Sequence, residues 1–456
     1  MKLRTTARAL CSALLAAHSA SALELDLDDK QSIKDAARTA ADGMMAFYPG
    51  NLTGGIPGLF GDPYYWWEAG AAFGALIDYW YYTGDSTYND VTTEAMLFQV
   101  GEDDNYMPQN QSKSLGNDDQ AFWGIAAMSA AEVAFPNPPK DKPQWLALAQ
   151  AVFNSQAARW NTDACGGGLK WQIFSFNTGY TYRNSISNGC FFNLAARLGA
   201  YTHNETYLKW ADRTWEWATN PDIGLIGEGY QVYDGTNDVK NCTGLNPVQW
   251  TYNTGVFLLG AATMWNQTTG PEQDLWETRT QALLDAAVKF FFTDGSTIMT
   301  EAACEPRGNC NVDQRSFKAY LSRWMAATTK AAPWTHDQIM PLLQSSAQAA
   351  ATSCSGGDTG TTCGMRWTTG SWDGDTGVGE QMSALEVMQS NLIDDVDGPV
   401  SQGQGGISKG DPSAGTGGDD PGPSYEPVGT GDKAGAGILT ALVVVGILGG
   451  AWWLVR

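Results

Sequence analysis

Ala71-Ala72-Phe73-Gly74-Ala75-Leu76-Ile77 and Gly255-Val256-Phe257-Leu258-Leu259-Gly260-Ala261-Ala262 are long enough to be helical and have no polar face. A helix that is apolar all round must be covered on every side. A second kind of segment accompanies them. Tyr207, Trp210, Ala211, Thr214 and Trp215 fall on one helical face, with polar residues opposite. The two kinds alternate. Tyr82-Thr83 and Thr87-Tyr88 reappear as Tyr201-Thr202 and Thr206-Tyr207, where an apolar helix turns sharply into an amphipathic one. The spacing predicts twelve helices, near 31–47, 66–82, 87–100, 118–134, 143–159, 185–202, 205–219, 248–266, 272–292, 312–329, 335–352 and 377–392. The apolar ones start near 66, 118, 185, 250, 315 and 378, mostly about 65 residues apart. Six helical hairpins make an open solenoid or a closed ring. Apolarity on all faces favours the ring, an all-α (α/α)6 barrel whose inner helices are buried on both sides. Strand-like alternation is confined to Leu169–Phe176 and Thr178–Tyr182, read as small hairpins in loops.

The 456-residue chain carries 49 acidic and 27 basic residues and a formal charge of −22. Such a surface excludes nucleic acid, whose phosphates require Lys and Arg. With three histidines, 19 Trp, 17 Tyr and 16 Phe, the chemistry falls to carboxylates and aromatic faces.

The ends set an address. Lys2, Arg4 and Arg8 precede an apolar run and the small residues Ala20-Ser21-Ala22, a secretory signal peptide over 1–22. The predicted catalytic domain covers 23–395. Residues 396–435, rich in Gly, Pro, Ser and Asp, read as a flexible stalk that contains a glycosylphosphatidylinositol (GPI) attachment region. The tail 436–456, with its apolar run Ile438–Val455, reads as the GPI signal rather than a span, because one terminal arginine is a poor cytoplasmic anchor. The expected location is the secretory pathway and then the outer face of the plasma membrane and the cell wall, with the membrane reached through the anchor alone. Sequons at Asn51, Asn110, Asn204, Asn241 and Asn266 agree with that address. Cys11 leaves with the signal; Cys304/Cys310 and Cys354/Cys363 are plausible local disulfides, and the spacing leaves the pairing among Cys165, Cys190 and Cys242 open.

Leu115-Gly116-Asn117-Asp118-Asp119-Gln120 places two carboxylates at the start of an inner helix. Glycoside hydrolysis uses such a pair, and a retaining mechanism wants them roughly 5 Å apart. The same run is a good capping box, with anions favoured at the positive helix end. Mixed aromatic, amide and carboxylate clusters open three other inner helices: Tyr64-Tyr65-Trp66-Trp67-Glu68, Arg183-Asn184-Ser185-Ile186-Ser187-Asn188-Gly189 and Gln249-Trp250-Thr251-Tyr252-Asn253. From them Trp67, Asn188, Trp250, Tyr252 and Asn253 are the candidate sugar contacts. No metal and no cofactor follows from the pattern; Asp373-Gly374-Asp375 has calcium-like spacing, but acidic glycine turns are usually only turns.

The ordered set of G-N-D-D-Q-A-F-W, Y-W-W-E-A-G, R-N-S-I-S-N-G and Q-W-T-Y-N-T-G resembles glycoside hydrolase family 76 over roughly Leu25–Leu392. With the signal, sequons and tail it looks like the fungal cell-wall branch, the mannan endo-1,6-α-mannosidases. The resemblance implies an (α/α)6 barrel and a retaining mechanism on α-1,6-linked mannose, with Asp118 as nucleophile and Asp119 as acid/base. It places a sugar-lining G-L-I-x-D-G motif at Gly224–Gly229, with Glu228 where the family has Asp. For this branch it further implies transfer: cleavage of the mannose-containing GPI core glycan or α-1,6-mannan, with cell-wall β-glucan as acceptor, by a monomer. The alternative is a catalytically inactive GPI-anchored lectin or adhesin on the same scaffold.

Overall fold

The computed structural model describes residues 22–292, 295–416 and 430–455. The expected signal peptide lies, but for Ala22, outside the described residues, as do residues 417–429 of the expected attachment region. Twelve helices build the barrel: α1 (Lys30–Met45), α2 (Trp66–Thr83), α3 (Asn89–Phe98), α4 (Asn117–Glu132), α5 (Trp145–Ala158), α6 (Ser185–Thr202), α7 (Glu205–Thr219), α8 (Thr251–Gln267), α9 (Pro271–Phe291), α10 (Phe317–Ala331), α11 (His336–Ser353) and α12 (Val378–Gln389). A further helix, α13 (Thr430–Val455), exposes Ile438, Leu439, Leu442 and Ile447.

The even-numbered helices form the inner ring. Each packs on the next, α2 on α4 through to α12, and α12 returns to α2. The fold is an (α/α)6 barrel. Close approach is bought with glycine: a Cβ on Gly70 would stand 2.7 Å from the Trp123 ring, and one on Gly260 2.4 Å from Phe192. Sharp turns follow the inner helices. Gly84 and His203 end α2 and α6 in left-handed conformation, and Asn204 caps α7 by accepting the Thr206 N–H. Five hairpins are contiguous in sequence. The sixth is not: α12 takes as its outer partner α1, the first helix of the chain. The barrel is thus closed by its two ends.

One sequence expectation changes, and one pairing left open is resolved. Tyr182–Asn184 (β1) pairs antiparallel with Gly235–Asn237 (β2), not within 169–182. Cys165 bonds Cys242 across 77 residues, so this ribbon and this disulfide join the α5–α6 loop to the α7–α8 loop; Cys304–Cys310 and Cys354–Cys363 are bonded, and Cys190 is buried and free.

The first part of the expected stalk is held in place. Residues 396–416 lie against the barrel wall. Val400 N–H donates to the Glu132 carbonyl, Gln402 N–H to the Tyr201 carbonyl, and Asp411 N–H to Gln150 Oε1; Asn154 Nδ2 donates to the carbonyls of Pro412 and Ala414. Gly415 serves contact as well as conformation: its φ is +72°, and a Cβ on it would stand 2.6 Å from the Ala151 carbonyl oxygen. The strap has no core of its own and satisfies its backbone on the C-terminal ends of α4 and α6 and on α5.

Ending the chain after Asp395 is expected to lower the thermal midpoint by several degrees, whereas ending it after Thr416 leaves it unchanged; equal midpoints would show that the strap contributes nothing. Replacing Cys165 and Cys242 together by Ser is expected to cost about 2–4 kcal/mol in denaturant unfolding.

Candidate active site

Because every inner helix starts at the same mouth of the barrel, the loops before α2, α4, α6, α8, α10 and α12 meet there. α4 is pinned first. Asn117 N–H donates to the Trp171 carbonyl at 2.7 Å, and Asn117 Nδ2 to the Lys170 carbonyl at 2.8 Å. Behind it, Arg159 Nε and Gln156 Nε2 donate to Asn117 Oδ1 and its carbonyl. Gly116 is the N-cap, and its N–H donates to Asp119 Oδ2, so Asp119 caps the helix as the sequence suggests. A Cβ on Gly116 would stand 2.3 Å from Asp118 Oδ1 and 2.9 Å from Asp119 Oδ2. Both carboxyls therefore lean on one point, within the roughly 5 Å of a retaining pair.

The two acids are not equivalent. Asp118 is buried, its Oδ2 accepting from Asn184 Nδ2 at 3.1 Å and its Oδ1 from the Asp119 N–H at 3.1 Å. Burial pushes its carboxyl up to about 7 against these two donors. Asp119 has one donor, Gly116, and is pushed well above the usual carboxylate range by burial and by the charge of Asp118, with Asp313 adding to it. Both carboxyls are thus raised, and the two donors to Asp118 favour its ionised form over that of Asp119.

The cleft has two lobes. The inner, about 210 Å³, is lined by Asp118, Asn184, Asp234, Tyr252 and Phe317 among others. The outer, about 340 Å³, is lined by Tyr65, Lys113, Gln172, Asn177 and Thr178 among others. Trp67, Asp119, Trp171 and Asp313 line both.

Of the predicted sugar contacts, Trp67 and Tyr252 face this cleft, Tyr252 stacked on Phe317 with ring centroids 3.8 Å apart. Four do not. Asn188 is fully buried and spends its amide on the Leu169 N–H and the carbonyls of Leu169 and Asn184. Asn253 is buried within α8, its amide without a partner among the described residues. Trp250 stands behind the wall, its indole N–H donating to Asp234 Oδ1 at 2.9 Å. Glu228 is exposed on the turn between Ile226 and Val232, away from both lobes. The carboxylate of this region that lines the cleft is Asp234, six residues on, in Val232-Tyr233-Asp234-Gly235.

Sequence reading missed Trp171, Tyr182, Asn184, Asp234 and Asp313, all delivered by loops or helix starts. Asn184 was within the quoted R-N-S-I-S-N-G run. There Arg183 is a fully buried clamp on the carbonyls of Asn161, Gly167 and Gly168, and Asn184 caps α6 while reaching Asp118. The Asp373-Gly374-Asp375 turn is internally engaged: Asp373 accepts from Arg366, and Asp375 pairs with Arg315. All five sequon asparagines are exposed.

Residues 32–403 match the model of glycosyl hydrolase family 76. The mannan endo-1,6-alpha-mannosidase DCW1 of Saccharomyces cerevisiae is 50% identical over 446 residues, covering 98% of each chain. The structure of Dfg5 from Chaetomium thermophilum in complex with glucosamine is 47% identical, with a TM-score of 0.82, covering 86% of this chain and 97% of that one. An inactive variant of an alpha-1,6-mannanase from Salegentibacter, with two neighbouring aspartates replaced and alpha-1,6-mannotetrose bound, shares the fold at 16% identity and a TM-score of 0.62, covering 79% of this chain and 99% of that one. With the family model matched over most of its length and half its residues shared with a full-length relative, the chain belongs to glycosyl hydrolase family 76.

Proposed function

We propose that this protein is a retaining glycosidase acting on α-1,6-linked mannose, and that its physiological reaction is transfer: it cleaves the mannose-containing glycan of a GPI anchor and passes the attached protein to cell-wall β-glucan. The observation that carries the reading is the distribution of the acid pair over the two lobes. A nucleophile must stand beside the anomeric carbon of the sugar held on one side of the scissile bond. An acid/base must touch the bridging oxygen, between the two sides. Asp118 lines the inner lobe alone and Asp119 lines both.

Asp118, the better hydrogen-bonded acid, is the nucleophile, and Asp119 donates its proton to the leaving oxygen. The inner lobe then holds the mannosyl unit against Tyr252 and Phe317. The outer lobe, with Tyr65, Trp171 and Asn177, holds first the leaving group and then the acceptor. A covalent mannosyl-Asp118 can be attacked by a sugar hydroxyl once Asp119 takes up the acceptor's proton, the reverse of the first step. Relatives named as mannan endo-1,6-alpha-mannosidases support the mannose side of this reading. The β-glucan side, the GPI anchor, the wall location and a monomeric state rest on the sequence features of the two ends and on the family resemblance.

Asp118→Asn and Asp119→Asn are each expected to abolish turnover of an α-1,6-mannose oligosaccharide by at least about 10³-fold, with helical circular dichroism unchanged. Full activity in either removes that residue from the mechanism. Gly116→Ala keeps an allowed backbone but intrudes on both carboxyls, so it is expected to lower kcat at least tenfold in the same assay. Incubation with a β-glucan oligosaccharide acceptor is expected to yield a mannosyl–glucan adduct by mass spectrometry; shortened mannose oligosaccharides alone would identify a plain hydrolase.

A further inference from the structure

A retaining reaction needs two carboxyls, and the cleft presents two more, Asp234 and Asp313. Asp313 opens the 3-10 turn Asp313–Ser316 that leads into α10, so it comes from a different inner-helix start than Asp118 and Asp119. Its Oδ1 accepts the Trp67 indole N–H at 3.1 Å, which fixes the rotation of the carboxylate. Among the described residues, no second donor and no cation serves it. Asp234 differs: its oxygens are filled by the hydroxyl of Tyr182, the amide of Asn246 and the indole of Trp250. Asp313 is also one of the four residues shared by both lobes, together with Asp119.

We propose that Asp313 positions the sugar at the cleavage junction, accepting hydroxyl hydrogen bonds on the carboxylate oxygen that no protein group occupies, and that its negative charge holds the proton on Asp119. The proposal rests on the glycosidase reading above. Sugar hydroxyls are donors as well as acceptors, and a carboxylate bound on one oxygen by a rigid indole offers the other in a fixed direction. The electrostatic part follows from what surrounds the dyad. α4 supplies Asp118, and α2 supplies Glu68, whose fully buried carboxyl is pushed well above the usual carboxylate range by desolvation, with the charges of Asp313 and Glu380 adding to that. α12 supplies Glu380, and the turn before α10 supplies Arg315. These two pair at 2.9 Å, and Arg315 also holds Asp375. α6 contributes the neutral thiol Cys190, and the loop–ribbon wall with α8 contributes Tyr182, Asp234 and Tyr252. Lys113 stands on the exposed rim of the outer lobe, and Arg159, behind α4, is engaged by Asn117 and Gln120. Asp313 thus faces the dyad without a cation of its own among the described residues; burial raises its own carboxyl above the ordinary value, and the Trp67 donor lowers it. Its charge opposes loss of the Asp119 proton.

The test is Asp313→Asn, since an amide oxygen can still accept from Trp67, alongside Asp313→Glu, assayed on an α-1,6-mannose oligosaccharide across pH. Asp313→Asn is expected to lower kcat/KM about 10- to 100-fold and to move the upper limb of the pH profile to lower pH, because Asp119 loses its proton sooner without a neighbouring anion. Asp313→Glu is expected to return that limb to the wild-type position while kcat/KM stays reduced. A role confined to holding the loop would lower activity without moving the limb, and would overturn the electrostatic part. Wild-type kcat/KM in Asp313→Asn would overturn the proposal outright. Wild-type protein inert toward the oligosaccharide would sink the glycosidase reading instead. Calorimetric binding of the same oligosaccharide then decides on Asp313: binding weakened at least tenfold by Asp313→Asn supports it, and equal or absent binding overturns it.

Discussion

Closing six inner helices into one ring forces all six of their N-termini to a single mouth. That constraint brings Glu68, Asp118, Asp119, Asp313 and Glu380 together, each from the start of an inner helix or the turn before one. Helix dipoles favour anions there, typically by 0.3–1 kcal/mol each and at most about 2. The same ring removes these acids from water, and full burial can raise a carboxyl by several pKa units, more than a dipole restores. Burial wins. The dyad is pushed upward, so one member can keep a proton as a general acid even though it sits at a positive helix end.

The opposite mouth shows what an unreactive version of the same geometry looks like. A cavity of about 330 Å³ there is lined by Asp78, Glu132, Arg197, Arg323 and Lys330. Its acids are matched: Arg197 pairs with Glu132, and Arg323 pairs with Asp78 and with Glu386 behind it. These ion pairs tie α4 to α6, and α2 to α10 and α12, at positions where an unpaired charge would be costly. At the catalytic mouth the acids outnumber their cations, and the surplus faces the cleft.

The wall that turns this mouth into a cleft is assembled from loops far apart in sequence. The β1–β2 ribbon, the Cys165–Cys242 disulfide and the buried Arg183 clamp hold the α5–α6 and α7–α8 loops together. Between them they deliver Trp171, Tyr182, Asn184 and Asp234. The side chains of R-N-S-I-S-N-G divide accordingly: Arg183 and Asn188 hold the loops, and Asn184 reaches the acid pair. A motif can be essential to a site without most of its residues facing the substrate.

Helix positions were legible because an inner helix must be apolar on all faces and an outer one on a single face, a pattern written in local composition. The acid pair was legible because Asp118 and Asp119 are adjacent and lie at a helix start. The partners of that pair were not. Asp234 and Asp313 lie over a hundred residues from it, in turns whose composition resembles any other turn, and only ring closure carries them to Asp119. Glu228 and Asn188 looked like sugar ligands for the converse reason: sequence records a residue's chemistry but not the direction of its side chain. The glycine-rich 396–416 segment read as flexible because it cannot build a core, yet it has the barrel's outer wall as its core. By itself the sequence determined twelve helices, their alternation and the place of the adjacent acid pair at a helix start, since these depend on neighbours a few residues away. The pairing of α12 with α1, the sharing of Cys165 with Cys242 and the two further carboxyls of the cleft were decided by the tertiary structure, because they depend on contacts that exist only once the ring has closed.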